Sequence, residues 1–324
     1  MKIKHIYPAK ALFIERMKQL LPDEKDFQAY LEVIKLDILH SIRCNTLKIN
    51  HEELKKRLET KGWKISQPFK SAPEIMIIES KLLPGEIGRA IEHLLGYYYV
   101  QEIASTFPIL ALNLKENETY LDLCASPGSK TTQAAAKMNN NGLIIANDES
   151  LGRIKILVSN LERCGVMNSI ITKKEGSFLC QRLENQEFLF DKILVDAPCS
   201  GEGTIRSSPK TLQMWNINSI KQLSGIQKRL VSSAIKVLKV KGEMIYSTCT
   251  HAPEENEEVV NFILENFPEM KLQKINLPSE IKTRPGITKW NNKVYSKELN
   301  KAVRIYPQDN NTEGFFLAKF KKIR

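Results

Sequence analysis

A chain of 324 residues can bury one large α/β core with a smaller unit beside it. Lysine and arginine number 48 against 37 acids, a formal charge of +11 that favours a polyanionic partner, while 7% aromatic residues leave no obvious base-stacking platform. No apolar stretch approaches the ~20 residues of a membrane span and no signal-peptide core opens the chain, so a soluble, cytoplasmic protein without membrane contact is expected.

In chain order, residues 1–97 read as a small α+β unit, either a substrate-docking module or a purely structural cap. Its pattern predicts helices over 11–21 and 26–40, a strand over 41–49, a helix over 51–60 stopped by Gly62, and strands over 63–66 and 74–78. Residues 98–324 read as the larger domain, opening with a helix over 100–114 kinked at Pro108. The run Tyr120-Leu-Asp-Leu-Cys-Ala-Ser-Pro-Gly-Ser-Lys-Thr-Thr132 is strand, small-residue loop and helix. Such a turn places backbone N–H groups and a helix N-terminus at the crevice of an α/β sheet, where ligands bind. Gly128 stands alone, so neither a dinucleotide fingerprint nor a phosphate-loop lysine pattern is present.

A second strand, 143–146, is followed by Asp148, twenty residues past Gly128 and suited to ribose hydroxyls; a helix cap is the plain alternative. A helix over 151–164 ends at Gly165, and strands over 169–172, 190–196 and 243–247 follow, with a helix over 220–238 before the last. Pro253 and the glutamates after it predict a helix start there, and 303–306 with 314–320 read as an antiparallel pair. Alternating strands and helices make the larger domain α/β, a doubly wound, mostly parallel sheet.

Six cysteines stand at 44, 124, 164, 180, 199 and 249, with no Cys-x-x-Cys, and His5 and His251 have no ligand spacing, so no metal is expected and a reducing compartment is. Cys199 and Cys249 each follow a strand by a few residues. If those strands are neighbours, both thiols emerge side by side on the carboxyl edge, next to the 124–130 loop. A helix start after Cys249, together with His251, would favour a thiolate there, opposed in part by Glu254 and Glu255.

Three segments, Asp122-Leu-Cys-Ala-Ser-Pro-Gly-Ser-Lys-Thr131, Asp196-Ala-Pro-Cys-Ser-Gly201 and Ser247-Thr-Cys-Thr-His-Ala-Pro-Glu-Glu-Asn-Glu-Glu258, closely resemble RNA (cytosine-5)-methyltransferases of the Sun/Fmu type. Tyr99 to Ser105, Asn160 to Gly165, Arg304 to Pro307, Thr312 to Phe316 and Ile42 to Lys48 resemble the family's secondary motifs, so the likeness spans nearly the whole chain. It implies a Rossmann-like catalytic domain with S-adenosylmethionine as cofactor, cradled by Cys124, Ala125, Ser126, Pro127, Gly128, Ser129 and Lys130. By the same resemblance Asp148 takes the ribose hydroxyls with Arg153 nearby, and Glu175 stands where an aspartate usually meets the adenine. Ser126 and Ser129 replace the more common alanine and glycine. Cys249 would be the nucleophile, Cys199 would assist product release, Asp196 would hydrogen-bond N3 of the base and also contact the cofactor, and Lys130 would position base or cofactor.

The chemistry explains two thiols. C5 of cytosine is a poor nucleophile until a thiolate adds to C6. The base must be unstacked to be reached, so RNA loops or flipped bases are the expected substrate, tRNA ahead of ribosomal RNA, with residues 1–97 as the RNA-docking domain and the enzyme a monomer. A DNA cytosine-5 methyltransferase would need no separate Thr-Cys-Thr, and an amino-group methyltransferase would want Pro-Pro-aromatic after Asp196. A non-catalytic RNA-binding protein on this fold would need neither cysteine.

Overall fold

The computed structural model describes residues 8–324, so His5 lies outside them. Two helices open the described chain, α1 (Ala11–Leu20) and α2 (Glu24–Val33), the second capped by Asp23, whose carboxylate accepts from Asp26 N at 2.8 Å. Next come β1 (His40–Cys44), α3 (His51–Thr60), β2 (Ile65–Ser66), β3 (Ile75–Ile78) and β4 (Tyr98–Val100). Asn50 caps α3, and Leu54 and Leu58, one turn apart, bury its inner face. The four strands form an antiparallel sheet in the order β2-β3-β1-β4.

Two expectations fail in this stretch. The helix predicted over 26–40 ends at Val33, because the Arg206 guanidinium donates to the carbonyls of Leu36 and Asp37 and fixes that segment as a connector. The helix predicted over 100–114 is instead β4, a 3₁₀ turn at Ala104–Thr106 and a short α4 (Phe107–Leu112). Tyr98–Val100 pairs with Ile42–Cys44, so the N-terminal sheet takes its fourth strand from beyond residue 97.

The large sheet begins with β5 (Thr119–Asp122), α5 (Ser129–Lys137), β6 (Leu143–Asp148), α6 (Leu151–Cys164), β7 (Ser169–Lys173) and α7 (Gly176–Asn185). It continues with β8 (Phe190–Asp196), α8 (Ile217–Lys236), β9 (Leu238–Thr248) and α9 (Glu257–Asn266). Five strands run parallel in the order β7-β6-β5-β8-β9. Antiparallel strands close the β9 edge: β10 (Met270–Gln273), β11 (Arg284–Pro285), β14 (Val303–Ile305) and β15 (Phe315–Lys322). A separate hairpin is made by β12 (Lys289–Trp290) and β13 (Lys293–Val294).

Side-chain alternation builds a core on each face. Tyr120, Ile144, Leu194 and Ile245 pack on one side with α4, α5 and α6; Leu121, Ile193, Met244 and Tyr246 pack on the other with α7, α8 and α9. This is the expected doubly wound, mostly parallel sheet with an α+β N-terminal region. Strand order reverses between β5 and β8, and a crevice opens beyond their carboxyl ends at such a switch point. Among the described residues no helix is long and apolar enough to cross a membrane.

Candidate active site

A cleft of ≈ 250 Å³ lies at the carboxyl edge, and Cys124, Ser126, Asp148, Arg153, Glu175, Asp196, Cys199 and Cys249 are among its lining residues. The sequence places them there through strand ends. Asp196 pairs in register with Ser247 across β8 and β9, so the residues three and two positions on arrive together. Cys199 Sγ and Cys249 Sγ are 3.4 Å apart. Hydrogen bonding to Cys249, then burial, push the Cys199 thiol well above its ordinary range.

Beside the sulfurs stands Asp196, with both carboxylate oxygens engaged. Lys130 Nζ lies 2.8 Å from Oδ2, and Ser247 Oγ donates to Oδ1 at 2.7 Å. Lys130 also donates to Ser105 Oγ at 2.9 Å and sits over the Phe315 ring. Burial pulls the Lys130 ammonium down, but Asp196 and other nearby anionic groups outweigh it, and the net shift is upward. Lys130 is therefore the cation held against Asp196. His251 is not a cation: burial, then Arg304, press it down to about 3, its ring stacks on Tyr306 at 4.9 Å, and it stays neutral. Nor does a helix dipole begin at Pro253, because α9 starts only at Glu257. Asn256 is the reason: its side chain accepts from Thr248 Oγ1 at 2.5 Å and donates to Thr250 O at 2.9 Å, holding 253–256 in turns ahead of the helix. Neither source of thiolate stabilisation that the sequence predicts for Cys249 is therefore present.

The loop after β5 divides in two. Cys124 and Ser126 line the cleft. Ala125, Pro127, Gly128 and Ser129 hold the loop from behind. Ala125 N donates to Asn147 O at 2.7 Å, Pro127 O accepts from Asn160 Nδ2 at 2.9 Å, and Ser129 O accepts from Arg43 Nη1 at 2.7 Å. Gly128 takes φ +105, and a Cβ there would stand 3.0 Å from Leu157 Cδ1, so the turn into α5 requires glycine. Lys130 reaches Asp196, which lines the cleft, and is not itself among the lining residues.

Acceptors without donors face the cleft. Asp148 is buried at 2% exposure; its Oδ1 accepts from Ser150 N at 3.0 Å, while Oδ2 lacks a hydrogen-bond donor. Arg153 approaches that oxygen to 3.3 Å, close enough to pair charges but out of line for a hydrogen bond. Ser126 Oγ is also unpartnered. A group carrying vicinal hydroxyls would satisfy Asp148, so the residues fit the nucleoside end of S-adenosylmethionine. Glu175 lines the same cleft but spends one oxygen as the cap of α7, accepting from Phe178 N at 3.1 Å. Asp122, behind the loop, is pushed up to about 7 by burial.

Sequence reasoning missed Ser105, Ser247 and Asn147. Asn147 donates to Leu123 O and Lys174 O and accepts from Thr172 Oγ1, tying the ends of three strands beneath the cleft. The in-register pairing of Asp196 with Ser247 is the signal that could have found the second of these. Among the described residues no cluster of His, Cys, Asp or Glu could hold a metal.

A family profile described as "16S rRNA methyltransferase RsmB/F" matches residues 109–321, and one described as "N-terminal domain of 16S rRNA methyltransferase RsmF" matches 10–103. A tRNA (cytosine(49)-C(5))-methyltransferase of Pyrococcus abyssi is 42% identical over 311 residues, covering 96% of each chain. A ribosomal RNA small subunit methyltransferase F of Vibrio campbellii is 35% identical over 96% of this chain, which spans 63% of that relative's length. Among solved structures, a methyltransferase homologue from Pyrococcus horikoshii superposes with a TM-score of 0.84 at 34% identity, covering 97% of this chain and 95% of its own. NSun6 of the same organism, solved with SFG, gives 0.82 at 25% identity over 97% and 98%. The chain therefore belongs to the RsmB/F family, and with it to the S-adenosylmethionine-dependent RNA cytosine-C5 methyltransferases.

Proposed function

We propose that the protein methylates C5 of a cytosine in tRNA through a covalent bond between Cys249 and C6 of the base. The observation that carries this reading is the pair of sulfurs 3.4 Å apart beside the Lys130–Asp196 pair. S-adenosylmethionine supplies the methyl group when bound. Asp148 would hold its ribose, with Arg153 beside it, Glu175 would face the adenine, and Cys124 and Ser126 would line the methionine end.

The chain's own residues carry the remaining steps. Cys249 adds as thiolate to C6, in the field of the Lys130 ammonium, and C5 becomes enamine-like. Asp196, held by Lys130 and Ser247, would hydrogen-bond N3 and stabilise the charge that develops there as C6 is attacked. After C5 is methylated its proton passes to solvent water, the C5–H electron pair re-forms the C5=C6 bond, and the C6–S pair returns to sulfur, regenerating the Cys249 thiolate. Cys199, in contact with that sulfur, assists this release. Residues 98–324 would form the catalytic domain, and residues 1–97 would dock the RNA.

The preference for tRNA rests on end-to-end similarity to the Pyrococcus abyssi enzyme. Ribosomal RNA is the second reading, favoured by the names of both family profiles. Bisulfite sequencing of tRNA and ribosomal RNA from cells lacking the gene separates the two.

The chemistry is tested by denaturing gels. Cys249→Ala is expected to be inactive and to form no gel-stable complex with RNA. Cys199→Ala is expected to accumulate one, and the double variant to behave like Cys249→Ala. Trapping by Cys249→Ala alone would reverse the roles, and full activity in both single variants would remove covalent catalysis.

A further inference from the structure

The residue after each sulfur carries a hydroxyl, and the two hydroxyls meet. Ser200 Oγ and Thr250 Oγ1 are 2.7 Å apart, one residue beyond each partner of the Cys199–Cys249 contact. Neither residue is among those lining the cleft, and Thr250, 1% exposed, is closed off from it. We propose that Ser200 and Thr250 form a positioning clasp that sets the spacing of the two sulfurs and so the rate at which Cys199 releases product from Cys249; its kinetic half rests on the covalent mechanism above.

The clasp has one direction and a fixed anchor. Glu202, 3% exposed, accepts from Trp215 Nε1 at 2.7 Å on one oxygen and from Thr250 Oγ1 at 3.2 Å on the other. A carboxylate only accepts, so Thr250 spends its proton on Glu202 and must itself accept from Ser200. Ala252 N supplies the second acceptance at 3.3 Å, which exhausts the threonine hydroxyl. A second acid holds the Cys199 side. Glu255 Oε2 accepts from Ser200 N at 3.0 Å and from Gln227 Nε2 at 2.8 Å, and Gln227 also donates to Pro198 O at 2.9 Å. Backbone groups on both sides of Cys199 are thereby fixed to one buried Gln–Glu pair. The Cys249 side is stitched to the same loop, because Gly203 N donates to Cys249 O at 2.9 Å. A Cβ on Gly203 would stand 2.9 Å from that oxygen and 2.3 Å from Gly314 O, so the approach admits no side chain. Two loops 50 residues apart in sequence are thus locked at the residues next to their sulfurs.

Thr250→Val keeps the shape and removes the hydroxyl; Thr250→Ser restores it, and Ser200→Ala is the mildest cut. Addition and methylation need Cys249 alone, whereas release needs Cys199 in contact. Thr250→Val and Ser200→Ala should keep single-turnover methylation within about 3-fold, slow multiple turnover about 10-fold and accumulate a gel-stable RNA complex, with Thr250→Ser near the parent. A readout independent of the mechanism is the rate at which diamide, a two-electron thiol oxidant, joins Cys199 to Cys249, mapped by mass spectrometry. It should fall several-fold in Thr250→Val and Ser200→Ala. A slower cross-link with no trapping by Cys199→Ala would support the clasp while removing the release mechanism. An unchanged cross-linking rate in a folded Ser200→Ala would overturn the clasp. So would equal losses of single and multiple turnover without a trapped complex, since that is what general loosening produces.

Discussion

Asp148 ends β6 with one carboxylate oxygen bonded to Ser150 N and the other short of a donor. Losing a charge-assisted bond to a ribose hydroxyl should cost Asp148→Ala about 1–3 kcal/mol of cofactor affinity, and calorimetry giving the parent affinity would refute the assignment. Glu255 makes a different prediction. Burial raises its carboxyl to about 7. A raised acid stabilises the fold while protonated, so its contribution is full below the ordinary carboxylate range and drains as pH climbs through about 7. Glu255→Gln keeps an acceptor for Ser200 N and has no proton to lose. Its stability should therefore fall less between pH about 5 and about 8, by up to about 1.4 kcal/mol per pH unit in slope. Glu102 and Asp122, also raised to about 7, leave some slope in the variant. Identical pH profiles from chemical denaturation would contradict this. At this scale the reactive side chains were legible because each sits in a short motif with its own chemistry. Their supports were not. Ser105, Ser247, Ser200 and Thr250 are ordinary residues in sequence, and only cross-strand register and loop closure give them partners.

The segment between β9 and α9 carries a strong helix-start pattern that the fold overrides. Pro253 and four glutamates suit a first turn. Three of those glutamates instead face inward to partners from elsewhere in the chain. Glu254 pairs with Arg16, Glu255 takes Ser200 N, and Glu257 takes the Arg304 guanidinium. The helix start at 151 needed no such distant partners: Ile154, Leu157 and Leu161 recur at helical spacing, Gly165 ends the helix at φ 72, and the predicted boundaries hold. Local pattern fixes an element whose caps and face lie within it, and fails where long-range bonds claim its first turn. Arg304 tests the point. It is 2% exposed, donates to both oxygens of the wholly buried Glu257, and gives a further bond to His251 O at 3.0 Å. Arg304→Met leaves that carboxylate unpaired and should destabilise the protein by about 3–5 kcal/mol in denaturant titration, with much of the loss recovered when Glu257→Met is added. A cost below about 1 kcal/mol would mean that the pair does not hold the loop.

At the scale of the molecule, the net charge of +11 was legible from composition, but the union of the two regions was not. Arg43 reaches from β1 to Gln101, to Ser129 O and to Thr132, while Asn45 donates to Gly96 O and Cys164 O. α1 and α2 do not join the N-terminal sheet at all. Phe13, Met17, Phe27 and Tyr30 share a core with Ile205, Leu212, Trp215 and Ile220 from the loops and helices after β8. Arg16 adds two bonds to Glu254, at 3.0 and 2.7 Å. The N-terminal region therefore packs against the 251–254 segment that follows Cys249. For the intact chain, contact with about four phosphates predicts that log affinity for RNA falls against log salt with a slope on the order of −3. A flat dependence would contradict the role given to its charge. Removing residues 1–97 should do more than weaken RNA binding. It exposes the apolar partners of α1 and α2 and leaves β4 without β1, so a chain starting at Tyr98 should show no cooperative thermal transition and no methyl transfer even at saturating RNA. A shortened chain that melts cooperatively and methylates at high RNA concentration would reduce the first 97 residues to a docking module.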